Sequence, residues 1–435
     1  MANQWPKTAS IFDINLRPVT SALFLGLILT TAVIAAPAAQ AQTFQVLHAF
    51  TGGQDGAAQE DGLTIDQAGN LYGTASAGGN QVSGYENNDG NTGCGSVFKL
   101  AHDGSGWVLT PLYDFEGGSG GNNPGVGVVF GPDGALYGAA TTTATCDGFE
   151  CGLVYSIRPR PNPCGSFLCS WQETVLHQFT GAPDGLDPDS RVIFDAAGNL
   201  YGSTVFGGPY GGAYGYGTVY ELTPSHGSWT ENVIYSFNPN LPVAVVLPSG
   251  GLFFDQAGSL YGTAELGWTE NVFGGVWQLQ PSQSGWNYNL LYYFNGYDGA
   301  EPLGLIGDGS GNLYGVTAGA VGNDSGTIYE LSPSGSGWNY NLVYDFGFED
   351  YASGLVMDSA GNFYGVNSGG FFNDGNIFKL TKSGSTWTYS VLHTFSGADG
   401  AGPEGSVVID SSGNLYGTAA AGGHYGFGVI WEITQ

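Results

Sequence analysis

Positive charge is scarce in this chain: 8 Lys and Arg face 37 Asp and Glu, a formal net charge of −29. A polyanion such as DNA, or an anionic lipid surface, would be repelled rather than steered in, which excludes nucleic acid as a partner. Helical patterning is also missing. Beyond residue 41 no window sustains apolar residues at i, i+3, i+4 and i+7. Long apolar runs are absent too, since the stretch from Ala22 to Ala36 falls short of the about 20 residues that a membrane span needs. No phosphate loop, Ser-His-Asp set or cofactor motif occurs, and the six histidines form no cluster with metal-ligand spacing. Neither a metal nor a cofactor is therefore expected.

The apolar stretch reads instead as the core of a secretory signal peptide over residues 1–41. Lys7 and Arg17 precede it, and small residues lead to a cleavage site at Ala39-Gln40-Ala41. Loss of Lys7, Arg17 and Asp13 with this leader takes the net charge from −29 to −30. The remainder, 42–435, is expected to be secreted (extracellular or periplasmic), monomeric and free of membrane spans.

What the chain has in abundance is glycine, at 76 residues, together with 25 Tyr, 25 Phe and 10 Trp. That mixture suits many short strands joined by tight turns. One stretch recurs throughout: "DQAGNLYGT" from Asp66, then "GPDGALYGA" (Gly131), "DAAGNLYGS" (Asp195), "DQAGSLYGT" (Asp255), "DGSGNLYGV" (Asp308), "DSAGNFYGV" (Asp358) and "DSSGNLYGT" (Asp410). Its tyrosines fall at 72, 137, 201, 261, 314, 364 and 416. The period drifts around that of a four-stranded propeller blade with variable loops.

Each unit divides into four runs. In the first, A is "GLTID" (62–66), B is "LYGTA" (71–75), C is "GSVFKL" (95–100) and D is "WVLTPLYDF" (107–115). The mature chain opens with "FQVLHAF" (44–50), a D run with no A, B or C before it. It closes with "FGVIWEIT" (427–434), a C run with no D after it. The sets balance only if the first strand completes the last blade, which leaves no open edge. A seven-bladed all-β propeller over 42–435 is expected.

Within the repeated motif, Asp accepts backbone hydrogen bonds in a turn between A and B, and Gly supplies a positive φ. The Gly after each Tyr leaves room for a close neighbour. The second copy moves its acid from the first position to Asp133, which a turn tolerates and a ligand set would not. The motif is a structural brick. One or two carboxylates per turn also fall short of the six to eight oxygens that calcium takes.

These units resemble the GloVer-type (choice-of-anchor) tandem repeats of bacterial secreted proteins. The residues carrying the likeness are "GNLYGTASAGG" (69–79) before "GSVFKL", and "GNLYGTAAAGG" (413–423) before "GVIWEI". A weaker similarity to NHL-type propeller repeats lies in the Asp-x-x-Gly-Asn-Leu-Tyr turn. The resemblance implies export and a propeller, and supplies no reaction or catalytic residues.

Cys146 and Cys151 bracket a B–C loop, and Cys164 and Cys169 bracket the next C–D turn. Two local disulfides follow in an oxidising compartment. Cys94 is either free or takes Cys146 from its local partner. His48, His177 and His393 occupy a D-run position held elsewhere by Tyr, and are expected to pack rather than ligate. His102 and His226 fall in C–D turns, and His424 in a B–C loop.

In a propeller the D–A and B–C loops share one face, and here they vary most. Tyr85, Tyr210, Tyr214, Trp268, Phe273, Phe372 and Tyr425, with Asp184, Asp298 and Asp399, are the candidate ligand-binding residues. Aromatic rings beside acids on a Gly-rich rim suit a sugar platform. The reading that comes ahead of it is that the same loops pack against one another across blades, and Asp184, Asp298 and Asp399 share one Asp-Gly position with Asp55, as turn residues do. Two functions follow: a non-catalytic binding or scaffold protein for a glycan, envelope polymer or protein, or a carbohydrate-active hydrolase or lyase using loop carboxylates. Uniform repetition favours the first.

Overall fold

A computed structural model describes residues 42–57, 61–79, 93–104, 106–141, 145–146, 149–160, 171–212, 214–319, 325–335, 337–347, 350–369, 374–384 and 386–435. The proposed leader therefore lies outside the described residues, as do Tyr85, Phe372, Cys164 and Cys169.

Seven four-stranded antiparallel sheets succeed one another as blades. In blade 1, strands A to D are Thr64–Ile65, Leu71–Ala75, Ser96–Asp103 and Gly106–Asp114, paired in that order. Blades 2 to 6 begin at Val129–Phe130, Ile193–Phe194, Phe253–Phe254, Ala300–Gly307 and Ala352–Met357. Blade 7 contributes Val408–Ile409, Leu415–Ala419 and Val429–Thr434, and its fourth strand is the N-terminal Thr43–Ala49. Thr43 pairs with Thr434 and Ala49 with Val429, so the expected closure of the ring is present. No helix among the described residues is long and apolar enough to cross a membrane.

The brick explains the packing. The five residues of "LYGTA" and its variants are buried in all seven B strands, because they lie between neighbours on both edges and both faces. An added Cβ on Gly73 would stand 2.7 Å from the Phe98 ring, and one on Gly202 would stand 2.1 Å from the Tyr220 hydroxyl. The same approach recurs at Gly262 under Trp277 and at Gly417 under Trp431. The B-strand glycine is the slot into which the C-strand aromatic lies.

That C-strand aromatic in turn receives the last Phe of the preceding D strand. Phe50 meets Phe98, Phe115 meets Tyr155, Phe179 meets Tyr220 and Phe237 meets Trp277, with ring centroids 5.1–5.8 Å apart. Phe294–Tyr329, Phe346–Phe378 and Phe395–Trp431 complete the set. Each of these Phe residues is buried, contributing about 1.5–3 kcal/mol by transfer. Apolar cores therefore lie between blades rather than inside them.

The turn works as its sequence suggests. Asp66 Oδ1 accepts the Ala68 and Asn70 amides at 2.9 Å, while Oδ2 accepts Asn70 Nδ2 and the Tyr72 hydroxyl. Asp308, Asp358 and Asp410 repeat all four bonds. In the second copy Asp133 serves the Ala135 amide and the Tyr137 hydroxyl. Burial alone would raise the pKa of Asp66, Asp308 and Asp358, but these hydrogen bonds outweigh it and hold each below the usual carboxylate value. Carboxylates so engaged are turn material.

Candidate functional site at the loop face

On the face carrying the D–A and B–C loops, every blade ties its own two loops together through the backbone. Ala57 bridges Ala77, Asn122 bridges Thr141, Leu186 bridges Phe206 and Ala401 bridges Ala421. In blade 4 the bridge widens to Val245–Val246 against Leu266–Gly267. In blades 5 and 6 it extends the first ladder itself, pairing Ala300 with Gly319 and Ala352 with Asn367. Two glycine-rich loops per blade are thereby fixed before any ligand arrives, which lowers the ordering cost of binding.

The A strands of blades 5 and 6 and the chain segments leading into the other A strands surround one cavity of about 480 Å³. Its polar lining includes Asp61, Asp189, Arg191, Glu265, Glu404 and Tyr351, contributed by blades 1, 3, 4, 7 and 6. Arg191 straps the wall. Its Nη2 donates to the carbonyls of Gly62, Leu63 and Val128 and to Thr64 Oγ1, over 2.9–3.2 Å, and its Nε stands 3.5 Å from Asp61 Oδ2. Asp61 also accepts the Gly62 amide at 2.7 Å and the Gly127 amide at 2.6 Å. These two residues hold blades 1, 2 and 3 together at the axis. Glu265 stands differently: burial, with the nearby Glu301 charge, pushes its pKa up.

The residues expected to bind a ligand are dispersed around this cavity rather than lining it. Trp268 and Tyr214 are exposed, at 56% and 58%, and Tyr425 is similarly exposed. Trp268 packs edge-on against Tyr216 of the neighbouring loop at 4.7 Å, and Tyr425 packs edge-on against His424. Phe273 is at the margin of exposure and Tyr210 is half-buried. Asp184, Asp298 and Asp399 cap the start of their loops, accepting the amides of Thr180, Asn295 and Ser396 at 2.8–3.0 Å. Each also bonds the aromatic-position residue of its own D strand, His177, Tyr292 or His393. Asp55 does the same for Thr51 and His48. Sequence reading did not single out Asp189, Arg191, Glu265 and Glu404, although three of them sit in D–A loops. Tyr297, 88% exposed beside Asp298, was also missed.

Of the cysteines, Cys146 and Cys151 form the expected disulfide. Cys94 is buried and free, which decides between its two readings.

The family model for the Gloeobacter/Verrucomicrobia repeat matches residues 83–288 and 248–435. The chain belongs to that family. The weaker likeness to NHL-type repeats gains no support from the match. No curated protein sequence matches this repeat protein. Among solved structures, a polysaccharide lyase described as an ulvan lyase bound to -[GlcA(1-4)Rha3S]- aligns with TM-score 0.52 at 9% identity, over 87% of this chain and 94% of that one. A protein of unknown function from Dyadobacter fermentans aligns with TM-score 0.45 at 13% identity, over 91% and 98%. PorZ, a surface component of the type-IX secretion system of Porphyromonas gingivalis, aligns with TM-score 0.48 at 13% identity, over 86% of this chain and 46% of PorZ. At these identities the likeness is one of fold.

Proposed function

We propose that this repeat protein is an exported, non-catalytic binding protein that takes a polyhydroxylated ligand, a glycan or envelope polymer, on its loop face with the axial cavity as the anchor point. The observation that carries the reading is the cavity of about 480 Å³, rimmed by acids from several blades and held by pre-paired loops. Carboxylates accept the paired hydroxyls of a sugar, and the exposed rings of Trp268, Tyr214 and Tyr425 offer apolar faces around the rim. The strongly acidic surface disfavours polyanions. Export is supported by the Cys146–Cys151 disulfide, which belongs to an oxidising compartment. A second reading, a carbohydrate-active enzyme, draws on the same convergence of Glu265, Glu404 and Asp189 at one cavity.

A broad array of glycans and polysaccharides, with bound sugars checked for cleavage, tests both. Selective binding that survives high salt and is lost in Glu265→Gln and Trp268→Ala is the expected result. Cleavage abolished by Glu265→Gln would transfer the site to the enzyme reading. Silence across the array would overturn both carbohydrate readings.

A further inference from the structure

The D strands obey a rule at the seams between blades. The side chain two residues before the final Phe leans onto the third position of the next D run. Tyr235 stacks on Tyr288, Tyr292 on Tyr340, Tyr344 on Tyr389 and His393 on Phe44, all within 15° of parallel. Between blades 2 and 3 the rule fails. His177 meets no ring there but faces Glu231, and Asp184 from the blade 2 loop closes on the same point.

We propose that His177, Asp184 and Glu231 form a divalent transition-metal site of the zinc class, clamping blade 2 to blade 3 and leaving one coordination position open. The potential ligand atoms of the three side chains all lie within 4.8 Å of one another. His177 Nε2 and Asp184 Oδ1 are 3.3 Å apart. Zinc bonds of about 2.0–2.2 Å in tetrahedral geometry place ligand atoms roughly 3.3–3.5 Å apart, so this edge of the site is already set. Asp184 is oriented from behind, its Oδ2 accepting the Thr180 amide at 3.0 Å and the Thr180 hydroxyl at 3.1 Å, as outer-shell partners orient metal ligands. Glu231 supplies the independent observation: its Oε1 is buried without a hydrogen-bond partner, a costly state for a carboxylate that a cation would relieve. One imidazole and two carboxylates suit zinc or a neighbouring divalent transition metal. Calcium, which takes six to eight oxygens, is poorly served. With three protein ligands, the fourth position falls to water or to a carboxylate of a ligand.

The chain carries its own controls. His48–Asp55 and His393–Asp399 repeat the His–Asp pair at 3.1 and 3.0 Å. Neither has the third ligand: the corresponding position holds Leu109 in one seam and Phe44 in the other.

The test is titration of chelator-treated protein with Zn²⁺ by calorimetry, and with Co²⁺ by visible absorption. One equivalent is expected to bind, with a rise in Tm and a Co²⁺ spectrum of low coordination number. Glu231→Gln and His177→Tyr, the second restoring the residue other blades carry, are expected to weaken binding by about tenfold or more while keeping a folded circular-dichroism spectrum. His393→Tyr is expected to leave the single equivalent intact. Absence of stoichiometric binding by the wild type overturns the proposal. So does binding that Glu231→Gln and His177→Tyr leave unchanged, or that His393→Tyr removes.

Discussion

Glu173 offers the sharpest quantitative test of the seam between blades 1 and 2. It stands at the third position of its D strand, where blades 4, 5 and 6 carry a tyrosine, and its Oε2 accepts the Tyr113 hydroxyl at 2.9 Å. Its Oε1 is buried without a partner. Burial raises its pKa, the bond from Tyr113 opposes this and the Glu116 charge adds to it, leaving the carboxyl at about 7 against 4.5 for the free side chain. The unfolded chain thus sheds this proton above about pH 4.5 while the folded chain keeps it to about 7. The folded state consequently loses stability as pH rises from 4.5 to 7 and no further above that. At 1.36 kcal/mol per pKa unit the full shift corresponds to roughly 3 kcal/mol, which solvent screening of a partly buried group trims to about 1–2 kcal/mol. Glu173→Gln removes the titration and keeps the acceptor for Tyr113. The difference between wild-type and Glu173→Gln stability, from denaturant midpoints at a series of pH values, is expected to favour the variant increasingly between pH 4.5 and 7. Infrared difference spectra should show a protonated-carboxyl band in the wild type at pH 5–6 that the variant lacks. A flat difference curve, or a carboxyl titrating wholly below pH 5, would refute the argument.

Four further outcomes follow from the packing. Gly202→Ala forces a methyl against the Tyr220 hydroxyl and is expected to cost about 1–3 kcal/mol by denaturant unfolding, with part of the loss recovered in Gly202→Ala/Tyr220→Phe. Asp308→Ala removes the acceptor of four hydrogen bonds and is expected to lower stability by about 1–3 kcal/mol at pH 7. Because the Asp308 pKa is lowered on folding, that deficit should shrink as pH falls below about 4, which paired acid titrations would show. Cys146→Ser opens a short loop and is expected to cost about 2 kcal/mol, whereas Cys94→Ala should leave the protein's response to reductant unchanged in thermal scans. Deletion of residues 42–50 bares the edge of Val429–Thr434 and removes Phe50 from its core, so sedimentation should reveal more self-association than in the intact chain.

The ring and its closure were legible because they rest on local, repeated signals. A turn Asp, a slot Gly and a terminal Phe recur at fixed offsets, and an unmatched D run at one end answers an unmatched C run at the other. The Cys146–Cys151 pair was legible for the same reason, its partners being neighbours in the chain. The cavity was not. Glu265 follows a B strand while Asp189 and Glu404 precede A strands, so no spacing in the sequence unites them; only closure of the ring does. The seam contacts were hidden likewise, since Tyr113 and Glu173 lie 60 residues apart. Reading His177 as a packing residue treats each D run alone and omits Glu231, which arrives from the following blade.

The exceptions to the repeat therefore carry more information than its copies. A stacked ring pair at a seam buries apolar area and satisfies itself, and the seams from blade 3 round to blade 7 are closed that way. Glu173 and Glu231 replace the ring at the two seams flanking blade 2, and each leaves a buried oxygen without a partner. An unpaired buried carboxylate oxygen costs on the order of 1–3 kcal/mol, so neither glutamate is explained by the stability of the propeller alone. Blade 2 also holds the disulfide. Replacing both glutamates by tyrosine should thus yield a more stable propeller, and any function lost in that variant belongs to the seams rather than to the axial cavity. If the double variant is instead destabilised, the glutamates are packing residues and the seam rule has been misread.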